Sequence, residues 1–189
     1  MGQNKAVMPF HGIPLIERIV GRVRGIADEL WVITNTPEPL RFLELPISAD
    51  LLPGRGKLGG LFTALSVSNE PLVGLVACDM PFVNADLIMA ECWLMDHEGV
   101  DVVIPRSAEG LEPQHAVYRR KTCLPAVYQA LSEGKQRMIS WFEAVKVREM
   151  DLQEIFPYDP DGSAFTNVNT PEEFRKAEEL ARDLERGKG

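Results

Sequence analysis

A single aspartate, Asp79, ends the apolar run Val73-Gly-Leu-Val-Ala-Cys-Asp-Met-Pro-Phe82, and Pro81 breaks the extended chain just after it. A short apolar run bounded by turn formers reads as a strand buried on both faces of a parallel sheet. The carboxyl end of such a strand is where open α/β sheets bind ligands. A carboxylate there suits Mg²⁺, which takes one or two carboxylates together with phosphate oxygens and water. Read for structure alone, Asp79 caps the next turn. Spacing leaves both readings standing.

Other segments carry groups of the same kind. Lys5, after the turn-forming Met1-Gly-Gln-Asn4, is able to reach a di- or triphosphate as a point charge, or else is a solvated terminal lysine. The stretch Asp50-Leu-Leu-Pro-Gly-Arg-Gly-Lys-Leu-Gly-Gly60 holds four glycines ahead of a helix. Successive N–H groups in such a turn form an anion nest. It is no Walker A loop, because Leu58 follows Lys57 where Ser or Thr would stand. Asp50 can accept two hydrogen bonds from a guanine edge or start a turn. His115, with no nucleophile paired to it in sequence, reads as a structural hydrogen-bonding residue rather than a base. In Phe165-Thr-Asn-Val-Asn-Thr-Pro171, Asn167 and Asn169 project from one side of an extended segment. Thr170 and Glu173 there have capping-box spacing, which accounts for the threonine but not for both asparagines.

The elements that must position these groups alternate. Helices are predicted from Pro14 to Ile26, up to Val67 after the glycine loop, from Asn84 to Glu98, from Lys121 to Glu133, from Met138 to Ala144 and from Pro171 to Arg186. A weaker helix is predicted at Leu40 to Glu44. Strands are predicted at Glu29 to Thr34, Leu72 to Ala77, Val100 to Pro105, Gln114 to Tyr118 and Val145 to Glu149, with an extended piece near Pro46 to Ser48. This alternation predicts an α/β three-layer sandwich, Rossmann-like, with a mainly parallel sheet. With 189 residues and no internal repeat or linker, residues 1–189 are expected to form one domain.

A net charge of −8 argues against nucleic-acid or anionic-membrane partners, and no apolar run approaches the length of a membrane span. The amino terminus lacks a signal-peptide pattern. Three cysteines, odd in number and without metal-type spacing, suggest a reduced protein of the cytoplasm.

Taken in order, Met1-Gly2…Asn4-Lys5, the Asp50 loop with Leu58-Gly59-Gly60, Ala77-Cys-Asp-Met-Pro-Phe82, His115-Ala-Val-Tyr-Arg119 and Asn167-Val-Asn-Thr-Pro171 resemble the molybdenum cofactor guanylyltransferase family. The resemblance implies a fold of the nucleotide-diphospho-sugar/nucleotidyltransferase type. It implies transfer of GMP from MgGTP to the phosphate of molybdopterin, with pyrophosphate released. By resemblance, Lys5 binds the GTP phosphates and shares the catalytic role with Asp79, which holds Mg²⁺. Asp50 belongs to the guanine-nucleotide site, Thr34 or Asn35 takes the place of a nucleotide-contacting asparagine, and Asn167 and Asn169 form the pterin-side pair. The implied partners are GTP and molybdopterin, and beyond them cofactor-biosynthesis proteins or recipient molybdoenzymes.

Family members begin with a strand and a Gly-Gly-x-Ser-x-Arg-Met-Gly loop, of which Met1 and Gly2 match only the end. That strand lies mid-sheet in the family, so a slot is expected between the strands near Glu29–Thr34 and Leu72–Ala77. The chain should close that gap by pairing the two directly, borrow a strand from another molecule, or be an incomplete version of a longer protein. Two rival readings remain: a related cytidylyltransferase or other nucleotidyltransferase, and a non-catalytic nucleotide- or pterin-binding paralogue. A nucleotide-sugar glycosyltransferase would usually show two aspartates around the metal, and Cys78-Asp79-Met80 offers one.

Overall fold

The structure, a computed structural model, describes residues 5–186, so the Met1, Gly2 and Asn4 part of the amino-terminal motif lies outside the described residues. Nine short strands and six α-helices follow in the order β1 (Pro9–Phe10), β2 (Ile13–Pro14), α1 (Leu15–Val23), β3 (Val32–Ile33), β4 (Ile47–Ser48), α2 (Gly56–Val67), β5 (Leu72–Val76), α3 (Ala85–Glu98), β6 (Val102–Ser107), β7 (Gly110–Leu111), β8 (His115–Arg119), α4 (Arg120–Ser132), β9 (Val147–Met150), α5 (Leu152–Ile155) and α6 (Pro171–Arg186) among the described residues.

The main sheet runs β5-β8-β6, with β7 and β9 both pairing with β6. β9 is parallel to β6, whereas β8 is antiparallel to both β5 and β6. β5, β6 and β9 therefore share one direction and β8 and the two-residue β7 oppose them, which gives a mixed sheet whose longer strands are mainly parallel. Side-chain alternation along the strands splits the core into two layers. Val103 and Val117 face α1, α3 and α6 through Leu15, Ile19, Leu87, Met95, Phe174 and Ala177. Val102, Ile104, Ala116 and Tyr118 face α2 and α4 through Leu58, Leu61, Leu65, Cys123 and Val127. A three-layer sandwich results.

Two strand expectations need correction. The strand ending at Asp79 is not buried on both faces: only Val73 of β5 is buried, Gly74 is exposed, and the neighbour β8 is antiparallel. The strands that are buried on both faces are β6 and β8, because they alone lie between other strands and under helices on each side. The stretch Glu29 to Thr34 pairs only over Val32–Ile33, parallel to β4. The helix expected at Met138 to Ala144 shrinks to a 3₁₀ turn at Phe142–Ala144, since Met138 and Trp141 are drawn into the core.

β3 and β4 form a sheet of their own and do not join β5. Between β3 and β5 runs a cleft of about 600 Å³, lined by Trp31, Val32 and Ile33 on one wall and Leu72 through Cys78 on the other. The slot expected from the resemblance is present, and of the three outcomes expected for it, direct pairing of its two walls is not seen among the described residues. Ile16, Val20 and Val23 of α1, Leu61 and Ala64 of α2, and Ile88 of α3 line the cleft between the walls.

Candidate functional site at the carboxyl end of β5

Past β5 the chain turns at Cys78-Asp79, and Met80, Phe82 and Val83 bury themselves. This turn is firmly seated. Its start is fixed by Ala77 N–H donating to Gln114 O at 3.1 Å, and the Asp79 carbonyl accepts from Val168 N–H at 2.9 Å. Arg18 and Arg22 of α1 donate to the carbonyls of Pro81 and Val83 at 3.4 and 3.2 Å. Asp79 is half-buried, and no side-chain hydrogen bond or ion pair engages its carboxylate among the described residues.

The Asp79–Val168 bond brings the Asn167-Val-Asn169 segment against the turn. Asn169 in turn accepts a hydrogen bond from Lys5 Nζ on its Oδ1 at 3.3 Å. Thr170 and Glu173 form the predicted capping box: Thr170 Oγ1 accepts from Glu173 N–H at 3.1 Å, while the Glu173 carboxylate accepts from the N–H groups of Asn169 and Thr170. Those two backbone bonds hold the Glu173 carboxyl below its ordinary range. Asn167 is exposed and donates to its own loop, at Phe165 O, 3.1 Å away. The asparagine pair thus diverges: Asn169 turns to Lys5 and Asn167 does not.

On the other wall, Asn35 Nδ2 donates to Asp50 Oδ2 at 2.8 Å and Asp50 N–H donates back to Asn35 Oδ1 at 3.0 Å. Thr34 instead faces Thr36. Of the two residues left open in the sequence, Asn35 is the one joined to Asp50. The glycine stretch is shorter as a loop than expected, because Gly56 already opens α2. Gly59 allows the first turn to close on the loop: a Cβ there would stand 2.8 Å from Arg55 Cβ and 3.3 Å from Leu52 O. Asp50, Lys57 and Cys78 all line the cleft. The Cys78 thiol feels both walls; desolvation raises it most, Asp79 raises it further, and Lys5 and Lys57 pull it down. Two cations and a carboxylate thus lie near enough to act on Cys78, a mix that suits a metal-bound polyphosphate.

Among the described residues no group of three or more His, Cys, Asp and Glu side chains is placed to hold a metal ion. A lone, unengaged carboxylate fits Mg²⁺, which draws most of its ligands from phosphate and water.

His115 is fully buried and bonded, as its sequence reading held: its Nε2 accepts from Asn84 N–H at 3.3 Å. Its other partner, Glu91 at 3.1 Å, escaped sequence reasoning. The signal was there, since Glu91 stands at four-residue spacing between the buried Leu87 and Met95 of α3.

A family model, the MobA-like NTP transferase domain, matches residues 1–148. The chain is 36% identical over 179 residues to the probable molybdenum cofactor guanylyltransferase of Carboxydothermus hydrogenoformans, covering 93% of this chain and 87% of that protein. It is 32% identical over 178 residues to the molybdenum cofactor guanylyltransferase of Desulfosudis oleivorans, covering 94% and 87%. Among solved structures, molybdopterin-guanine dinucleotide biosynthesis protein A from Archaeoglobus fulgidus superposes with a TM-score of 0.82 at 22% identity, over 96% of this chain and 92% of that one. The 2-C-methyl-D-erythritol 4-phosphate cytidylyltransferase of Thermus thermophilus shares the fold with a TM-score of 0.70 at 18% identity, over 94% of each chain.

Proposed function

From the match over residues 1–148 the chain belongs to the MobA-like NTP transferase domain family, and on that premise we propose that it transfers GMP from GTP to the phosphate of molybdopterin. It is a nucleotidyltransferase, with residues 1–189 acting as one domain. The observation that carries the site assignment is the convergence of Lys5, Asp79 and Asn169 at the carboxyl end of β5, where α/β sheets bind their ligands.

The chemistry is a direct displacement. An oxygen of the pterin phosphate bonds to the α-phosphorus of GTP as the bond from that phosphorus to the bridging oxygen of the β-phosphate breaks, and pyrophosphate leaves. Positioning and charge stabilisation supply most of the rate in such transfers. Lys5 holds the departing phosphates, its ammonium aimed by Asn169. Asp79 would be the protein ligand of Mg²⁺, which when bound neutralises charge on the triphosphate. Asp50, steadied by Asn35, accepts hydrogen bonds from the guanine edge. Lys57 adds positive charge at the same mouth. Asn167, free of Lys5, contacts the pterin side. Recipient molybdoenzymes and cofactor-biosynthesis proteins are the partners that consume or hand on the product.

No helix among the described residues is long and apolar enough to cross a membrane. The three cysteines are unpaired, in keeping with the reducing cytoplasm where we place the reaction.

The test is turnover of GTP and molybdopterin with Mg²⁺, followed as pyrophosphate release and formation of the guanine dinucleotide, alongside CTP. Turnover with GTP alone supports the reading. Preference for CTP would favour the cytidylyltransferase alternative, and tight binding of GTP or pterin without turnover would favour a non-catalytic paralogue.

A further inference from the structure

The turn that presents Asp79 is tied at both ends to two consecutive residues of one segment. Ala77 N–H, before the turn, donates to Gln114 O. Asn84 N–H, after it, donates to His115 Nε2. Asn84 is also the residue that opens α3, its Oδ1 accepting from Leu87 N–H at 3.1 Å and its Nδ2 donating to Tyr158 O at 2.7 Å. His115 therefore fastens the point where the Asp79 turn becomes a helix.

That bond needs a bare Nε2. An imidazole with its proton on Nε2 would oppose one N–H to another across 3.3 Å. Glu91 Oε1, 3.1 Å from Nδ1, accepts the proton there and so fixes the tautomer that leaves Nε2 free. Both side chains are fully buried, and the edge of Phe165 closes over the imidazole at a ring separation of 5.3 Å. The arrangement is costly: among the described residues Glu91 Oε2 has no hydrogen-bond partner although buried, and Leu87 and Met95 show that an apolar residue would pack on this stripe of α3. Packing alone does not account for an acid at this place.

We propose that Glu91 and His115 are positioning residues that hold the Asp79 turn in its metal-presenting shape, Glu91 by selecting the histidine tautomer and His115 by anchoring Asn84. What is positioned rests on the GMP-transfer reading; that the turn is held does not.

The test uses the full chain with His115→Phe, which keeps a ring beside Phe165 but removes the acceptor, and Glu91→Leu, which packs but frees the tautomer. His115→Gln is the rescue, since its carbonyl can accept from Asn84 N–H and its amide can donate to Glu91. Amide exchange at Asn84 and the Mg²⁺ concentration for half-maximal GMP transfer are measured together with the KM for molybdopterin. Partners that orient a metal ligand at one remove are commonly worth 10–100-fold. His115→Phe and Glu91→Leu should therefore speed Asn84 exchange and raise the Mg²⁺ requirement by about tenfold or more, with molybdopterin KM unchanged, and His115→Gln should restore both. Native exchange at Asn84 in His115→Phe would overturn the proposal. So would an equal rise in every KM that tracks a loss of melting temperature and is not rescued by Gln. Should the native chain fail to turn over GTP with molybdopterin, the functional reading falls while Asn84 exchange still decides whether the turn is held.

Discussion

Asn35 and Asp50 hold each other by two reciprocal hydrogen bonds, one side chain to side chain at 2.8 Å and one backbone to side chain at 3.0 Å. One carboxylate oxygen of Asp50 is thereby committed to the protein and the group is fixed in direction. Orientation of this sort is what base discrimination requires, since an unpaired polar group in the site penalises the wrong base.

Asp50→Asn should lower kcat/KM for GTP by about 10–100-fold, the worth of a hydrogen bond to a charged group at about 1.5–3 kcal/mol. Activity with ATP or CTP should fall little, so the ratio of GTP to ATP turnover collapses. Asn35→Ala should act in the same direction but more weakly, because Asp50 keeps its charge. An unchanged nucleotide ratio in Asp50→Asn would remove Asp50 from the guanine site.

Asp79→Asn should abolish Mg²⁺-dependent transfer while leaving the melting temperature near that of the native chain. The turn is fastened through backbone groups of Ala77, Asp79, Pro81, Val83 and Asn84, none of which the substitution alters. Near-normal turnover with intact Mg²⁺ affinity would exclude the metal role.

Asn169→Ala and Asn167→Ala should separate. Their distance along the chain from the nucleotide loop suggests a purely pterin-side pair, but Lys5 Nζ bonds Asn169 and not Asn167. Asn169→Ala is thus expected to raise KM for both GTP and molybdopterin, and Asn167→Ala for molybdopterin alone. Equal effects of the two on GTP would show that the Lys5 contact does not carry into the complex.

The sequence discloses those parts that depend on local pattern. The alternation of helices and strands, Asn84 as the cap of α3 and the Thr170–Glu173 box all follow from neighbours within a few residues. What it conceals depends on contacts far along the chain. The apolar run before Asp79 looks like a central strand, yet β5 lies beside the cleft, because periodicity does not report which strand pairs with which. Glu91 stands in an apolar stripe, but its meaning appears only when β8 brings His115 beneath it. The Lys5–Asn169 contact joins residues near opposite ends of the chain and has no local signature at all.

Burial pushes the Glu91 carboxyl up to about 7, against an ordinary value of 4.5, with its bond to His115 opposing. The folded state then holds this proton more tightly than the unfolded chain does. Its stabilising contribution is full below about pH 4.5 and is lost as pH rises through about 7. Glu91→Gln should therefore flatten the fall in melting temperature between pH 5 and 8 relative to the native chain. The difference between the two curves should shrink from about pH 4.5 upward and level off once pH passes about 7. A native chain that gains stability relative to Glu91→Gln over that range would contradict the sign.

The cleft between β3 and β5 makes a prediction at the level of single amides. Ala77 N–H bonds Gln114 O and Arg120 N–H bonds Pro71 O, so residues 71, 73, 75 and 77 face β8. By strand alternation the N–H groups of Leu72, Gly74 and Val76 point into the cleft, where no strand partners them among the described residues. On the opposite wall Val32 and Thr34 donate to Pro46 and Ser48 of the β4 segment, which leaves Ile33 facing the cleft. Protection against hydrogen exchange should accordingly alternate: Leu72, Gly74, Val76 and Ile33 should exchange at least about a hundredfold faster than Val73, Leu75, Val32 and Thr34. Uniform protection along β5 would mean that the cleft is closed in solution. Protection that is independent of protein concentration would then point to β3 and β5 pairing directly, and protection that grows with concentration to a strand borrowed from another molecule. Each of these outcomes bears on the mouth of the cleft, which Asp50, Lys57 and Cys78 line.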